Sequence, residues 1–230
     1  MLPFDRAMAE LSPEQFVRSY LVEGLGLREL VIGYDYALGK GRKGNYETLR
    51  ALGERLGFRV FRLDPVVVGG AVVSSTRIRD LVQAGEVWEA RPLLGRFFTV
   101  HGEVVRGKDR GARLLGFPTA NLKPADELFP KTGVYAIWVE VDGQVLPAVA
   151  NVGDNPTFGD TGFSVEAHIF DFSREIYGHK LRIHFVQRIR SERRFESLEA
   201  LRARIGEDAS LAREILAAPE AQVDRPEAQV

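Results

Sequence analysis

The spacing of apolar and polar positions along the chain changes near residue 96. Ahead of that point Phe16, Val17, Tyr20 and Leu21 recur at helical spacing behind Ser12-Pro13-Glu14-Gln15. A capping serine, a first-turn proline and a box-closing glutamine predict a helix start there. Short apolar runs at 27–33 and 58–63 read as strands separated by an amphipathic helix at 46–56, an α/β alternation that implies parallel pairing. Helices at 76–83 and 87–94 continue it. From residue 97 the period falls to two, predicting strands at 97–106, 133–141, 145–152, 164–172 and 180–187, with Asp142-Gly143 as a tight hairpin turn. The expectation is an antiparallel barrel or sandwich. A helix from 197 to about 216, with Leu198, Leu201, Ile205 and Ile215 on one stripe, closes it.

At 230 residues two domains are expected, 1–95 and 96–217. The tail 218–230 repeats Pro-Glu-Ala-Gln-Val, too polar and short to bury anything, and is expected to be disordered. Lys and Arg total 31 against 32 Asp and Glu, a net charge of -1, so no broad basic field is available for nucleic acid or an anionic membrane. The chain has no cysteine, which removes disulfides, thiol catalysis and cysteine-ligated zinc together and makes the cytoplasm the natural compartment. Leu2-Pro3-Phe4-Asp5-Arg6 does not read as a leader, and no run of about 18 apolar residues occurs, so a soluble, unprocessed chain is expected.

The most chemical segment is 107–121, which joins a glycine-rich loop to Thr119 and Asn121. Gly107, Gly111 and Gly116 allow a backbone to approach a polyphosphate, Lys108 and Arg110 offset its charge, and Thr119 and Asn121 are hard oxygen ligands suited to Mg²⁺. If 117–121 is extended, those two oxygens share a face. The competing reading is a Gly/Pro-rich loop with a capping threonine. Residues 102–109 approach a Walker A loop, but aspartate stands where that motif needs Ser or Thr. Along 164–170 Glu166 and His168 share one face and Val165, Ala167 and Ile169 the other, so Glu166 is a candidate base for phosphoryl transfer and His168 a partner or packing residue. A solvated strand face is the plainer alternative.

Two further segments stay open. The glycines at 39, 41 and 44 match a dinucleotide fingerprint with Asp64 beyond them, yet 35–38 separate them from the preceding strand. A flexible loop and a mononucleotide phosphate contact compete, and Lys40, Arg42 and Lys43 favour the contact. Ser74, Ser75 and Thr76, ahead of Arg77 and Arg79, are either an anion-binding helix start or an ordinary N-cap. Arg188, Arg190, Arg193 and Arg194 read as a solvated face.

Taken in order, these segments resemble the bacterial bifunctional riboflavin kinase/FMN adenylyltransferases, or FAD synthetases. The resemblance rests on 116–121, on Ala150-Asn151-Val152-Gly153-Asp154-Asn155-Pro156-Thr157-Phe158-Gly159, on Val165-Glu166-Ala167-His168 and on Arg194-Phe195-Glu196-Ser197-Leu198. It implies a small Greek-key barrel that phosphorylates riboflavin to FMN, with MgATP at Thr119 and Asn121 and Glu166 as base. It also implies a partial nucleotidyltransferase-type, Rossmann-like domain that uses Asp35, Gly39, Ser74, Ser75, Thr76 and Arg77 to bind nucleotide. Riboflavin, FMN and ATP are then the ligands. The family's opening strand and its paired histidines have no counterpart here, so the second activity, FMN and ATP to FAD, is expected to be impaired. An NAD(P)-binding oxidoreductase using the 39–44 loop and a non-catalytic flavin-binding barrel are the alternatives.

Overall fold

The computed structural model describes residues 5–107, 116–125, 128–154 and 163–223. The chain forms two compact units, 1–73 and 74–230. The expected boundary lay near residue 96. The helices α4 (Ser75–Ala84) and α5 (Val87–Leu94) group instead with the barrel, because Val87 is fully buried among barrel residues and Trp88 packs beside Phe97 and Val186.

In the first unit a short helix (α1, Arg6–Ala9) precedes α2 (Pro13–Phe16), which Ser12 and Gln15 open with a reciprocal capping box, and the chain continues as a π-helix over Val17–Glu23. Strands β1 (Glu29–Gly33) and β2 (Arg59–Leu63) pair in parallel around α3 (Tyr46–Leu56), capped by Asn45. Val17, Ile32, Leu49, Leu52 and Phe58 form the core. A two-stranded ribbon of β3 (Val67–Val68) and β4 (Ala71–Val72) follows. Val31 and Leu63 remain more than half exposed on the two-stranded sheet.

The second unit is a closed six-stranded antiparallel barrel. Its strands are β5 (Phe98–Val105), β6 (Ala120–Pro124), β7 (Gly133–Val141), β8 (Gln144–Asp154), β9 (Phe163–Ile169) and β10 (Lys180–Arg190), in the spatial order 10-5-6-9-8-7. Strands β7, β8 and β9 run as successive neighbours while β6 lies against β9, the crossover of a Greek key. Sequence alternation misses β6, which is short, ends in proline and buries only Leu122 fully. At the β7–β8 turn Asp142 and Gly143 both take positive φ, the geometry that matches the twist of paired strands. The barrel interior is filled by Val100, Leu122, Ile137, Ala150, Val165, Ala167, Ile183 and Phe185. Outside, α6 (Leu198–Ala217) lays Ala212 and Leu216 on Val134, Ala136, Val149 and Val186.

The arginines around 188–194 are not one solvated face. Arg190 grips the buried Asp208 of α6 through three hydrogen bonds of 2.6–3.0 Å, and Arg188 donates to the Thr132 carbonyl at 2.7 Å. The tail also differs in its first part from the expected disorder: Pro219–Ala221 forms a 3-10 turn, Ala221 is buried, and its carbonyl accepts from the Trp138 indole at 2.7 Å. Residues 224–230 lie outside the described residues.

Candidate active site

Three neighbouring strands bring the polar row together. In the barrel register Asn121 on β6 stands opposite Glu166 on β9, and Glu166 stands opposite Asn151 on β8. Directly paired residues of antiparallel strands hold their Cβ atoms about 4.5–5.5 Å apart on one face. That face is the outer one, because the alternate residues Leu122, Val165, Ala167, Ala150 and Val152 are the ones sealed in the core. The alternation expected for Glu166 and His168 therefore holds.

Glycines make room for the row. A Cβ at Gly107 would collide with the Asn121 amide, and one at Gly153 would fall 2.7 Å from Glu192 Oε1. Glu192 in turn accepts a 3.0 Å hydrogen bond from Asn151 Nδ2. Neither Asn151 nor Glu192 stands out in the sequence as a site residue. The motif at 150–159 was the available signal for Asn151; nothing local marks Glu192.

Thr119 precedes β6 rather than lying in it, so strand alternation does not govern its direction. It lines a cavity of about 370 Å³ with Pro118, Ala167, Ile169, Ile176 and Tyr177. The loop leading to it is pinned by His168, whose Nδ1 lies 2.8 Å from the Pro118 carbonyl and donates to it, and whose ring meets Phe117 edge-on at 5.3 Å. His168 is thus a positioning group for the loop. Arg106 stacks 5.5 Å over the Tyr177 ring at the edge of the same cavity, a contact that separation in sequence hides. Gly116 has φ of +76°, a conformation open to glycine at little cost. Lys108, Arg110 and Gly111 lie outside the described residues.

The residues expected to bind nucleotide in the other half divide between the two compact units. In the first, Gly39 has φ of +73° and sits so near Pro13 that a Cβ would lie 2.7 Å from its nitrogen. Lys40 N–H donates to the Leu11 carbonyl at 2.8 Å, and its ammonium pairs with Glu10. These glycines let a loop close on residues 10–13, and β1 ends at Gly33 without running into them, so the dinucleotide fingerprint lacks its defining geometry. Asp35 is exposed, with its backbone carbonyl accepting from Arg42 at 2.9 Å. In the second unit Ser74 is an N-cap, accepting from the Arg77 N–H at 3.2 Å, with Ser75 and Thr76 in the first turn of α4.

Comparison with known proteins places the chain in a family. The riboflavin kinase family (Flavokinase) matches residues 94–216, and the FAD synthetase family matches residues 1–77. A bifunctional riboflavin kinase/FMN adenylyltransferase from Pseudomonas fluorescens is 41% identical over 96% of this chain and 70% of its own length. The protein of that description from Escherichia coli K12 is 36% identical over 92% of this chain and 67% of its own length. A crystal structure described as a macrolide-efflux protein from Streptococcus pneumoniae superposes with a TM-score of 0.82 at 35% identity, over 92% of this chain and 68% of that one. Among the described residues of this chain no helix is long and apolar enough to cross a membrane. With a kinase family covering the barrel and relatives matched over two thirds or more of their length, the chain belongs to the bifunctional riboflavin kinase/FMN adenylyltransferase family, and its barrel is the riboflavin kinase.

Proposed function

We propose that Glu166 is the base of this riboflavin kinase and that Thr119 and Asn121 hold the phosphates of MgATP. The observation that carries the reading is the strand register, which sets Asn121 directly opposite Glu166. A carboxylate there accepts the proton of a ribityl hydroxyl as its oxygen bonds to the γ-phosphorus and the bond to the ADP oxygen breaks. Thr119 and Asn121 offer two neutral oxygens, a donor set that suits Mg²⁺, which keeps waters and phosphates as its other ligands. Bound there, the ion would neutralise charge on the transferring group. The cavity beside Thr119 is of a size for part of a nucleotide or flavin. Gly107, Lys108, Arg110, Gly111 and Gly116 complete the phosphate loop in this reading.

For the adenylyltransferase segment, Asp35, Gly39, Ser74, Ser75, Thr76 and Arg77 are proposed nucleotide contacts, and FAD formation is measured in the same assay. The cytoplasm, where ATP is supplied, is the proposed compartment.

The test is Glu166→Gln. ATP-dependent FMN formation, followed chromatographically, is expected to fall about 10²- to 10⁴-fold in kcat with little change in KM for MgATP. Near-parent turnover by a folded variant rejects the base. Flavin binding without ATP consumption by the parent would instead describe a non-catalytic barrel.

A further inference from the structure

A second cavity of about 370 Å³ lies on the outside of the barrel, bounded by β5, β10, the end of α5 and residues 222–223. None of its lining residues belongs to the kinase row or to the cavity beside Thr119. Its walls carry Arg91, Arg96, Arg182, His101 and His184, and among the described residues no lining residue is acidic. Such a cluster is unusual in a chain whose net charge is -1 and whose other arginines so often meet carboxylates, as Arg18, Arg55, Arg59, Arg174, Arg190 and Arg213 do.

The guanidinium groups of Arg91 and Arg96 are held by carbonyls, a hydroxyl and rings rather than by carboxylates. Arg91 lies 4.5 Å from the centre of the Phe97 ring and donates through Nη1 to the Glu220 carbonyl. Arg96 donates through Nη1 to the Phe97 carbonyl at 3.2 Å and to Thr99 Oγ1 at 3.1 Å. Among the described residues neither meets a carboxylate, and their remaining N–H donors have no protein partner. Arg182 donates to His101 Nε2 at 2.9 Å and to Glu140 Oε2 at 3.1 Å, so among the described residues one carboxylate contacts the three guanidinium groups of the cleft. A fork fixed by a carbonyl or a ring loses little rotamer freedom on meeting an anion, and a concave site concentrates the field of its cations.

We propose that this cleft binds the phosphate of a small molecule, a phosphomonoester or diphosphate, at a site separate from the kinase centre. Arg96 and Arg91 are its primary donors, since planar guanidinium forks match phosphate oxygens in pairs. Arg182 adds charge from the far wall. The volume admits a mononucleotide as well as a bare anion.

The full chain would be titrated calorimetrically with inorganic diphosphate and, separately, with ADP, both in EDTA to suppress metal-dependent binding. Arg96 is exposed, so Arg96→Glu and Arg96→Lys should fold normally, and Arg96→Gln stands in if the reversal does not. At least a tenfold loss of diphosphate affinity is expected for Arg96→Glu, with Arg96→Lys intermediate, while kcat and KM for riboflavin and MgATP stay within twofold of the parent. ADP binding more tightly than diphosphate would identify a nucleotide as the ligand, and equal affinities would identify the bare anion. The proposal is overturned if diphosphate affinity is the same across parent and variants. It is overturned equally if the loss is matched by a rise in KM for MgATP, which would place the anion in the kinase centre.

Discussion

Removing the carboxylate of Asp208 should cost far more stability than removing that of Asp171, although both tie α6 to the barrel through an arginine. Asp208 is only 3% exposed and meets Arg190 at 3.0, 2.9 and 2.6 Å, with Arg204 Nε a further 3.1 Å away. Asp208→Ala leaves the Arg190 guanidinium facing a void without the carboxylate that holds it, while Arg204 keeps Glu207 at 2.8 Å. Losing one partner of a buried pair costs about 3–5 kcal/mol, and alanine's better helix propensity returns about 0.5 kcal/mol. A net of about 2.5–4.5 kcal/mol, at a slope of about 2 kcal/mol per M urea, lowers the unfolding midpoint by about 1.3–2.3 M. Asp171 makes bonds of comparable length to Arg213, at 3.0 and 3.2 Å, but its side chain is 80% exposed. Water already solvates that charge, so Asp171→Ala should move the midpoint by a small fraction of the Asp208 shift. Tryptophan fluorescence is the assay: the chain's two tryptophans, Trp88 and Trp138, both belong to the barrel unit and pack in the layer under α6. Equal midpoint shifts for the two variants would refute the claim that burial, rather than bond length, sets the strength of these ties.

Two further outcomes can be checked. Gly107→Ala puts a methyl group into the Asn121 amide, so it should raise KM for MgATP or abolish FMN formation while leaving the urea midpoint of the barrel near the parent value. An unchanged KM would mean that the Asn121 position is immaterial to nucleotide binding. Burial holds the His184 imidazole below its ordinary value of 6.5, against the opposing pull of Glu140, with Arg182 and His101 also facing it. A lowered folded value means that the unfolded chain binds the proton more readily. Stability is therefore complete above about pH 6.5 and is lost as pH falls through the folded value. Melting temperatures measured from about pH 7.5 to 5 should fall less steeply for His184→Gln than for the parent, and parallel curves would reject the burial argument.

Local pattern went far in this chain. Ser12 and Gln15, the alternation of Val165, Ala167 and Ile169 against Glu166, and Asp142-Gly143 each express an interaction confined to a few consecutive residues, and each stands in the structure as the sequence reads. The pattern failed where the deciding partner is distant. Strand β6 is too short to announce itself, and what makes it a strand is its pairing to β5 and β9. The sequence leaves Ser74 open as an anion site or a cap, and only the structure supplies its 3.2 Å bond from the Arg77 N–H.

By itself the sequence determined the change from α/β to all-β, the positions of the strongest strands, the family resemblance and the candidacy of Thr119, Asn121 and Glu166, because these depend on residue type and near-neighbour spacing. Tertiary structure alone decided that Asn121, Glu166 and Asn151 form one row and that Arg190 lies against a buried aspartate. It also brought Arg91, Arg96 and Arg182 to one cleft. The reason is that barrel closure and strand register join residues tens of positions apart, and neither is encoded in the spacing within any one segment.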